Sequence, residues 1–233
     1  MTNSNKFAKL EKNLKIKFKN KDLLQQAFVH RSYLNENPGC KMEQNERLEF
    51  LGDAVMELVV TNYLFKHYPK NPEGDLTTWR AALVNSNMLS EVANKLGFND
   101  YLMLSKGEGQ DKGRARQFIL ANTFEAMIGA IYLDRGFDKA EEFICKNLIC
   151  ELKRVLDEKL YQDPKSHFQE EAQGKMGITP SYELIEQEGP DHCKKFIVGV
   201  YLNNDLIAKG EGPSKQTAQE DAARKALKKK GWE

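Results

Sequence analysis

The sequence predicts two domains, an all-α domain followed by a small α+β domain with the element order α-β-β-β-α. Apolar residues recur at helical spacing through most of the first two thirds of the chain. Residues 161–164 (YQDP) then break this pattern. Beyond them, apolar and polar residues alternate over 181–185 and 195–201, which is typical of β-strands. We therefore divide the chain into a helical domain at 6–159, a linker at 160–163 and a second domain at 164–231.

The composition is that of an ordinary globular protein, with 40% hydrophobic and 30% charged residues in a chain of 233. Its 35 lysines and arginines nearly balance 34 aspartates and glutamates, so the net charge gives no indication of a nucleic-acid partner. No apolar run approaches the ~20 residues that span a membrane, and the lysine-rich N-terminus lacks the apolar segment of a signal peptide. The four cysteines lack metal-type spacing. We therefore expect free thiols, a cytoplasmic location and no membrane association.

A helical N-terminal region, residues 6–37, precedes a helix that we predict over Glu43–His67. Three of its carboxylates, Glu46, Glu49 and Asp53, follow at i, i+3 and i+7, and so share an arc of roughly 60°. The other face carries the residues predicted to enter the core, which are Leu48, Leu51, Val55, Leu58 and Val59.

Carboxylates this close repel each other, because like charges three or four residues apart destabilise a helix. Basic side chains or bound cations must therefore neutralise them. Clusters of oxygen ligands suit hard ions such as Mg²⁺. The alternative interpretation is a solvated acidic stripe that binds no ion.

Further helices are predicted downstream. Asp75 is predicted to N-cap one helix, and another spans 86–96. The glycine-rich, basic segment 105–116 (SKGEGQDKGRAR) predicts a loop that either touches phosphates or is merely solvated. Asp138 is predicted to N-cap a last helix that ends near Lys159.

The helix predicted over 117–133 is mostly apolar, with Asn122 and Glu125 one turn apart in its middle. A carboxylate in such surroundings is costly unless it is paired or bound to a cation. Glu125 is therefore predicted to be a fourth ligand beside the acidic helix.

The second domain begins with a helix predicted over 164–176. Three strands follow at 181–185, 195–201 and 205–210, and an alanine-rich helix then runs from Gly210–Lys215 to Lys230. This order describes a compact α+β module.

Together these motifs resemble bacterial ribonuclease III over nearly the whole chain. Asn45–Asp53 (NERLEFLGD) is similar to the signature helix of that family, and Glu73–Leu76 (EGDL) and Ala121–Ala130 (ANTFEAMIGA) match two further segments in the same order. Residues 163–230 resemble a double-stranded-RNA-binding domain.

The resemblance implies an all-α endonuclease domain joined to a double-stranded-RNA-binding domain, and an enzyme that hydrolyses both strands of duplex RNA. The expected cofactor is Mg²⁺, with Mn²⁺ as a substitute, and the expected products carry 5′-phosphates and short 3′ overhangs. By analogy the expected role is rRNA or mRNA processing. The resemblance assigns catalysis to Asp53 and Glu125 and metal binding to Glu46, Glu49, Asn122 and Glu125, with Glu73 as a weaker candidate.

Asn122 departs from the family pattern, which usually has aspartate at this position. An amide still offers a carbonyl oxygen, but it removes one negative charge and cannot act as a base, so we expect the affinity for Mg²⁺ to fall. Two interpretations remain open. The site is either a working natural variant or an inactivated one, which would leave a protein that binds duplex RNA without cutting it.

Cutting two strands calls for two acidic clusters, whereas one chain carries one, so we expect a C₂ homodimer. The resemblance implies that Phe50 inserts into the partner subunit. An ordinary core phenylalanine is the alternative interpretation.

In the second domain the resemblance assigns RNA contacts to Gln169, Glu170, Gln173, His192 and Lys215. Duplex RNA is recognised through 2′-hydroxyls across its minor groove and through the phosphates between. From Leu160 onward, however, the chain has 11 lysines and arginines against 12 aspartates and glutamates. We therefore expect weaker binding, with a shallower salt dependence, than in a lysine-rich domain.

Overall fold

The computed structural model describes residues 3–110, 113–189 and 194–232. The chain forms two compact units, Met1–Tyr161 and Gln162–Glu233, and the boundary falls within the predicted linker. The first unit is helical and the second combines helices with a sheet, so the predicted fold class is confirmed.

The first unit contains ten α-helices among its described residues, joined by short connections. They are α1 (Asn3–Leu14), α2 (Lys21–Gln26), α3 (Arg31–Glu36), α4 (Glu46–His67), α5 (Glu73–Val84), α6 (Ser86–Lys95), α7 (Lys106–Gln110), α8 (Arg114–Arg135), α9 (Phe137–Asn147) and α10 (Leu152–Asp157). Two short 3₁₀ turns, Phe98–Tyr101 and Ile149–Glu151, complete this unit.

Helices α4 and α8 pack against each other at the centre of the first unit. Between Ile119 and Ile131, nearly every residue of α8 is buried, because other helices surround it. Small residues such as Ala126, Gly129 and Ala130 let the neighbouring helices approach closely. Glu49 and Asp53 of α4 therefore lie beside the buried middle of α8.

Several predicted helix starts are wrong. Helix α4 begins at Glu46 rather than near Glu43, because Asn45 is buried and its side-chain amide donates to the Ala27 carbonyl oxygen, at 3.1 Å. Helix α5 begins after Pro72, so Asp75 lies inside its first turn. Proline fits this end of a helix, because the first N–H groups have no partner within the helix and its missing N–H therefore costs nothing.

The last predicted helix of the first unit is also divided. Gly136, at φ +84°, provides the N-cap of α9, so Asp138 is not the cap. The predicted continuous helix to Lys159 is interrupted by the 3₁₀ turn before α10.

The glycine-rich segment contains the short helix α7, and Arg116 of α8 donates to the Glu108 carbonyl oxygen at 2.6 Å.

Helix α4 has apolar residues on two faces, and only one of them enters the core. Leu48, Val55 and Val59 are buried, as predicted, and Leu51 is partly buried. The prediction for Leu58 is wrong, since 58% of that residue is exposed. Periodicity indicates that a face is apolar but does not say what covers it.

The second unit consists of α11 (Pro164–Met176), β1 (Ser181–Glu188), β2 (Lys195–Leu202), β3 (Asp205–Gly212) and α12 (Lys215–Lys230). The strands form an antiparallel sheet in the order β1-β2-β3. Ser181 pairs with Tyr201, and Phe196 pairs with Gly212. A Cβ atom on Gly210 would lie 2.1 Å from the Ala222 nitrogen, so α12 rests directly on β3.

Two further expectations concern membrane-spanning helices and the cysteines. Within the described ranges no helix is long and apolar enough to cross a membrane. Cys40, Cys145 and Cys150 are free thiols, as predicted, and Cys193 lies outside the described residues.

Candidate active site

The acidic site is built on the crossing of α4 and α8, where two glycines bring the helix backbones together. A Cβ atom on Gly52 would lie only 1.8 Å from the Glu125 carbonyl oxygen, and one on Gly129 only 2.2 Å from the Leu48 carbonyl oxygen. No side chain fits between the helices at these positions. The crossing therefore fixes Asp53, which follows Gly52, beside the turn of α8 that carries Glu125.

Glu125 is the most strongly perturbed acid of the site. Burial, followed by the charges of Asp53 and Glu49, raises the pKa of Glu125 to about 8. Both causes act in the same direction, because an apolar surrounding and nearby negative charges each disfavour the carboxylate. We therefore expect Glu125 to stay protonated near neutral pH unless a cation binds beside it.

Glu49 belongs to the same cluster. Burial, the charge of Glu46 and the charge of Asp53 raise the pKa of Glu49, whereas a hydrogen-bonding interaction with the Asn122 side chain lowers it. Asn122 therefore acts on Glu49 as a donor, which an aspartate could not do once ionised. The positive end of the α4 dipole also favours Glu46 and Glu49, since both lie in the first turn.

The structure thus brings together the acids that the sequence predicted to form one site. In the described part of the chain, no lysine, arginine or histidine forms an ion pair within 4.0 Å with Glu46, Glu49, Asp53 or Glu125. The candidate metal ligands are all oxygen atoms, and they combine the buried Glu125 with its acidic neighbours Asp53 and Glu49. Such a set fits a hard divalent cation.

The acidic side chains do not stand at metal-ligand spacing in this structure. Among the described residues, no three histidine, cysteine, aspartate or glutamate side chains form a cluster that could hold a metal ion. Glu73, the weaker candidate, lies at the start of α5, where its carboxylate accepts a hydrogen bond from the Thr77 hydroxyl at 2.8 Å. That position lines an apolar cavity rather than the acidic cluster.

An exposed apolar stripe runs along α4. Phe50 is 82% exposed and Phe65 is 72% exposed, with Leu58 between them, so Phe50 is not a core residue. Next to Phe65 is a cavity of about 490 Å³, which Leu64, Tyr68 and other residues line. Sequence reasoning identified Phe50 but missed the cavity and Phe65, because both depend on how α4 and α5 pack.

The candidate RNA contacts of the second unit lie on the exposed faces of its helices. Gln169, Glu170 and Gln173 on α11 are exposed, and so is Lys215 in the first turn of α12. A capping box between Ser214 and Thr217 fixes that helix end. His192 lies outside the described residues.

Lys165 is a candidate contact that sequence reasoning missed. Its ammonium Nζ lies 2.6 Å from the Gln219 Oε1 of α12 and 5.1 Å from the centre of the Tyr182 ring. Gln219 is one turn beyond Lys215, so Lys165 adds a second cation near the start of α12. The available signal was its place four residues before Gln169, which puts both side chains on one face of α11.

Comparison with known proteins finds relatives for both units. Residues 20–152 match the ribonuclease-III-like family, and residues 164–230 match the double-stranded RNA binding motif. Ribonuclease 3 of Nitratiruptor sp. is 44% identical over 218 residues, which cover 94% of each chain. Ribonuclease 3 of Enterococcus faecalis is 44% identical over 213 residues, covering 91% of this chain and 92% of that one.

A solved structure gives the same result for the first unit. The nuclease domain of ribonuclease III from Campylobacter jejuni, solved to show structural flexibility in the region involved in dimer formation, has a TM-score of 0.54 and 43% identity. The match covers 60% of this chain and 97% of that one. Matches to both domains, and to relatives over nearly the full length, show that this chain belongs to the ribonuclease III family of double-stranded-RNA endonucleases.

Proposed function

We propose that this endonuclease depends on a divalent metal ion, Mg²⁺ or Mn²⁺ in its place, which the acids at the α4–α8 crossing hold. The observation that carries the proposal is the environment of Glu125, whose pKa is raised to about 8 by burial and by the charges of Asp53 and Glu49. A divalent cation supplies the positive charge that such a cluster needs, and it also activates water and offsets charge on a phosphodiester.

The residues divide the work as follows. Glu49 and Glu125 would hold the cation directly, Asn122 would offer its carbonyl oxygen, and Glu46 would act as an outer or second-metal group. Asp53 is exposed, so it can orient the attacking water through a hydrogen bond. Water attacks phosphorus and the bond from phosphorus to the 3′ oxygen breaks, which leaves a 5′-phosphate on one product and a 3′-hydroxyl on the other.

Asn122 supports a second candidate function. Burial and the charge of Glu46 raise the pKa of Glu49, and the hydrogen-bonding interaction with Asn122 opposes this rise. A bound cation would act in the same direction as Asn122. If that interaction replaces the cation, the chain binds duplex RNA without cutting it. The family position and the four remaining acids favour the enzyme, and the Asn122→Asp variant distinguishes the two functions.

We further propose a C₂ homodimer formed through the stripe on α4. Phe50 and the cavity beside Phe65 lie near opposite ends of that helix, which puts them ~20 Å apart in one chain. Phe50 therefore cannot fill the cavity of its own chain, whereas a two-fold axis across α4 can deliver it to the partner's cavity. Two acidic clusters in one dimer account for cutting both strands.

For RNA capture we propose Gln169, Glu170 and Gln173 as contacts to 2′-hydroxyls, His192 as a second minor-groove contact, and Lys215 as a phosphate contact. Offset cuts by the two clusters give short 3′ overhangs. The cellular role that fits this chemistry is the processing of rRNA or mRNA precursors in the cytoplasm.

The decisive experiment measures cleavage of a long labelled RNA duplex in Mg²⁺ and in Mn²⁺. We expect the wild type to cut both strands, and we expect Glu125→Gln to reduce the rate at least a thousandfold while leaving RNA binding intact. Glu158→Gln, which removes an exposed carboxylate from the end of α10, is the matched control and should cut normally. Cleavage that persists in excess chelator would refute metal dependence.

A further inference from the structure

A second charged site lies in the first unit, where the segment after α1 meets α9. It is a cleft of about 270 Å³. Its charged lining residues are five cations, Lys15, Lys17, Arg135, Lys139 and Lys146, and one carboxylate, Glu142. Across the whole chain the charges balance almost completely, so this local excess does not follow from a basic composition.

The carboxylates that border the cleft are already engaged. Glu142 pairs with Lys139, and both oxygens of Asp134 accept backbone hydrogen bonds, from Lys19 at 2.8 Å and Asn20 at 2.7 Å. In the part of the chain that the structure describes, Lys15, Lys17 and Lys146 form no ion pair within 4.0 Å. Lys146 lines the cleft, and its charge adds to that of Lys139 in lowering the pKa of Glu142.

Hydrogen bonds hold the wall of the cleft in place. The Arg135 guanidinium donates to the Lys17 carbonyl oxygen, and the Asp134 carboxylate accepts hydrogen bonds from the backbone amides of Lys19 and Asn20. Lys15 adopts a left-handed conformation, φ +58°, at the end of α1, where glycine is the usual residue. A lysine in this backbone conformation destabilises the fold by about 1 kcal/mol, so the strained position is one that carries a cation of the cleft.

The floor of the cleft is apolar. It contains Leu14 and Phe143, which are buried, and Ile16, which is partly buried. A duplex hides its bases and presents only sugars and phosphates along its backbone. A single strand presents bases and phosphates together, and so matches an apolar floor with a basic rim.

We propose that this cleft binds single-stranded RNA that flanks the duplex being cut. The bases contact the floor, while Lys15, Lys17 and Lys146 bind the phosphates. The inference rests on the proposed function, because it assumes that the chain holds an RNA substrate. It adds a reason for the enzyme to prefer duplexes that continue into unpaired strands.

The test uses the full chain carrying Glu125→Gln, so that the RNA stays intact. Two probes are compared, a blunt duplex and the same duplex with single-stranded extensions at both ends. In this background Lys17→Gln and Lys146→Gln are combined, and both lysines are exposed. The matched control combines Lys41→Gln with Lys70→Gln, which removes two exposed charges elsewhere in the same unit.

We expect the slope of log affinity against log salt to become shallower by about 1.4 on the extended RNA, since each lost single-strand phosphate contact is worth about 0.7. The slope on the blunt duplex should not change, and neither slope should change in the control. An unchanged slope on the extended RNA would overturn the inference, and so would an equal loss on both probes. If the parent protein bound neither probe, the proposed function itself would fail.

Discussion

The two units of this chain hold their candidate functional residues on different physical grounds. In the first, a packed helix crossing holds the acids, and Gly52 and Gly129 leave no room for even a methyl group. In the second, the candidate contacts are exposed side chains such as Gln169 and Lys215. The acidic site should therefore respond to small changes in shape, whereas the RNA-binding surface should respond in proportion to its charge.

Gly52→Ala should break the first half of this comparison with the largest effect. The new methyl group would lie 1.8 Å from the Glu125 carbonyl oxygen, so the helices must separate. We expect a loss of about 3 kcal/mol or more in the free energy of unfolding, together with loss of cleavage. Chemical denaturation measures the first and duplex cleavage the second. Gly74→Ala, which meets nothing within 4 Å, is the control, and an equal loss there would contradict the account.

Phe50→Glu should separate the subunits without unfolding them. Because Phe50 is 82% exposed in one chain, its replacement should cost little in the monomer, but in the proposed dimer it would place a charge in an apolar cavity of the partner. We expect dimer dissociation to increase about 100-fold, or about 2.8 kcal/mol, as measured by sedimentation. Leu133→Glu, at a residue of α8 that is 54% exposed, should leave the dimer intact. Dimers of unchanged strength in Phe50→Glu would exclude the α4 interface.

Glu125 should make the stability of the metal-free protein depend on pH. The folded state raises the pKa of Glu125 from 4.5 to about 8, so between these values it holds a proton that the unfolded chain has released. Stability should therefore fall as pH rises through this window. In chelator at pH 8, we expect Glu125→Gln to be more stable than the wild type by on the order of 2 kcal/mol, with the difference disappearing near pH 4.5. Thermal unfolding at the two pH values measures this, and equal stability at pH 8 would contradict it.

Lys165→Gln should produce a small, graded effect in the second unit. If the ammonium beside Gln219 contacts a phosphate, its loss should make the salt dependence of duplex binding shallower by roughly 0.7–0.9. Adding Gln219→Lys to Lys165→Gln should restore the slope, which a merely structural role of Lys165 would not allow. Lys209→Gln, at an exposed lysine of β3, is the control. A weaker affinity with an unchanged slope would assign Lys165 to packing.

Local patterns predicted much of this architecture. Helical spacing placed Glu46, Glu49 and Asp53 on one face, and the isolated carboxylate of an apolar helix identified Glu125. Strand alternation gave the order of the second unit. What the sequence did not give depends on tertiary structure. Leu58 lies on the second apolar face of α4, and Lys165 meets Gln219 from a position 54 residues earlier in the chain.

The helix ends show the same limit at a smaller scale. Asp75 and Asp138 are residues that often cap helices, yet Pro72 and Gly136 precede α5 and α9. Both aspartates instead lie in the first turn, where the helix dipole also favours a negative charge. The residue types near a helix start therefore predicted where its first turn lies but not which residue caps it.

The most direct test of the central claim is the rate of duplex cleavage as a function of Mg²⁺ concentration, for the wild type and Asn122→Asp. The account predicts that the wild type cuts both strands with a saturable dependence on Mg²⁺. Asn122→Asp should saturate at a lower concentration, because it restores a negative charge to the site. Two results would contradict the account, namely a wild type that binds but never cuts while Asn122→Asp does, or cleavage that needs no divalent ion.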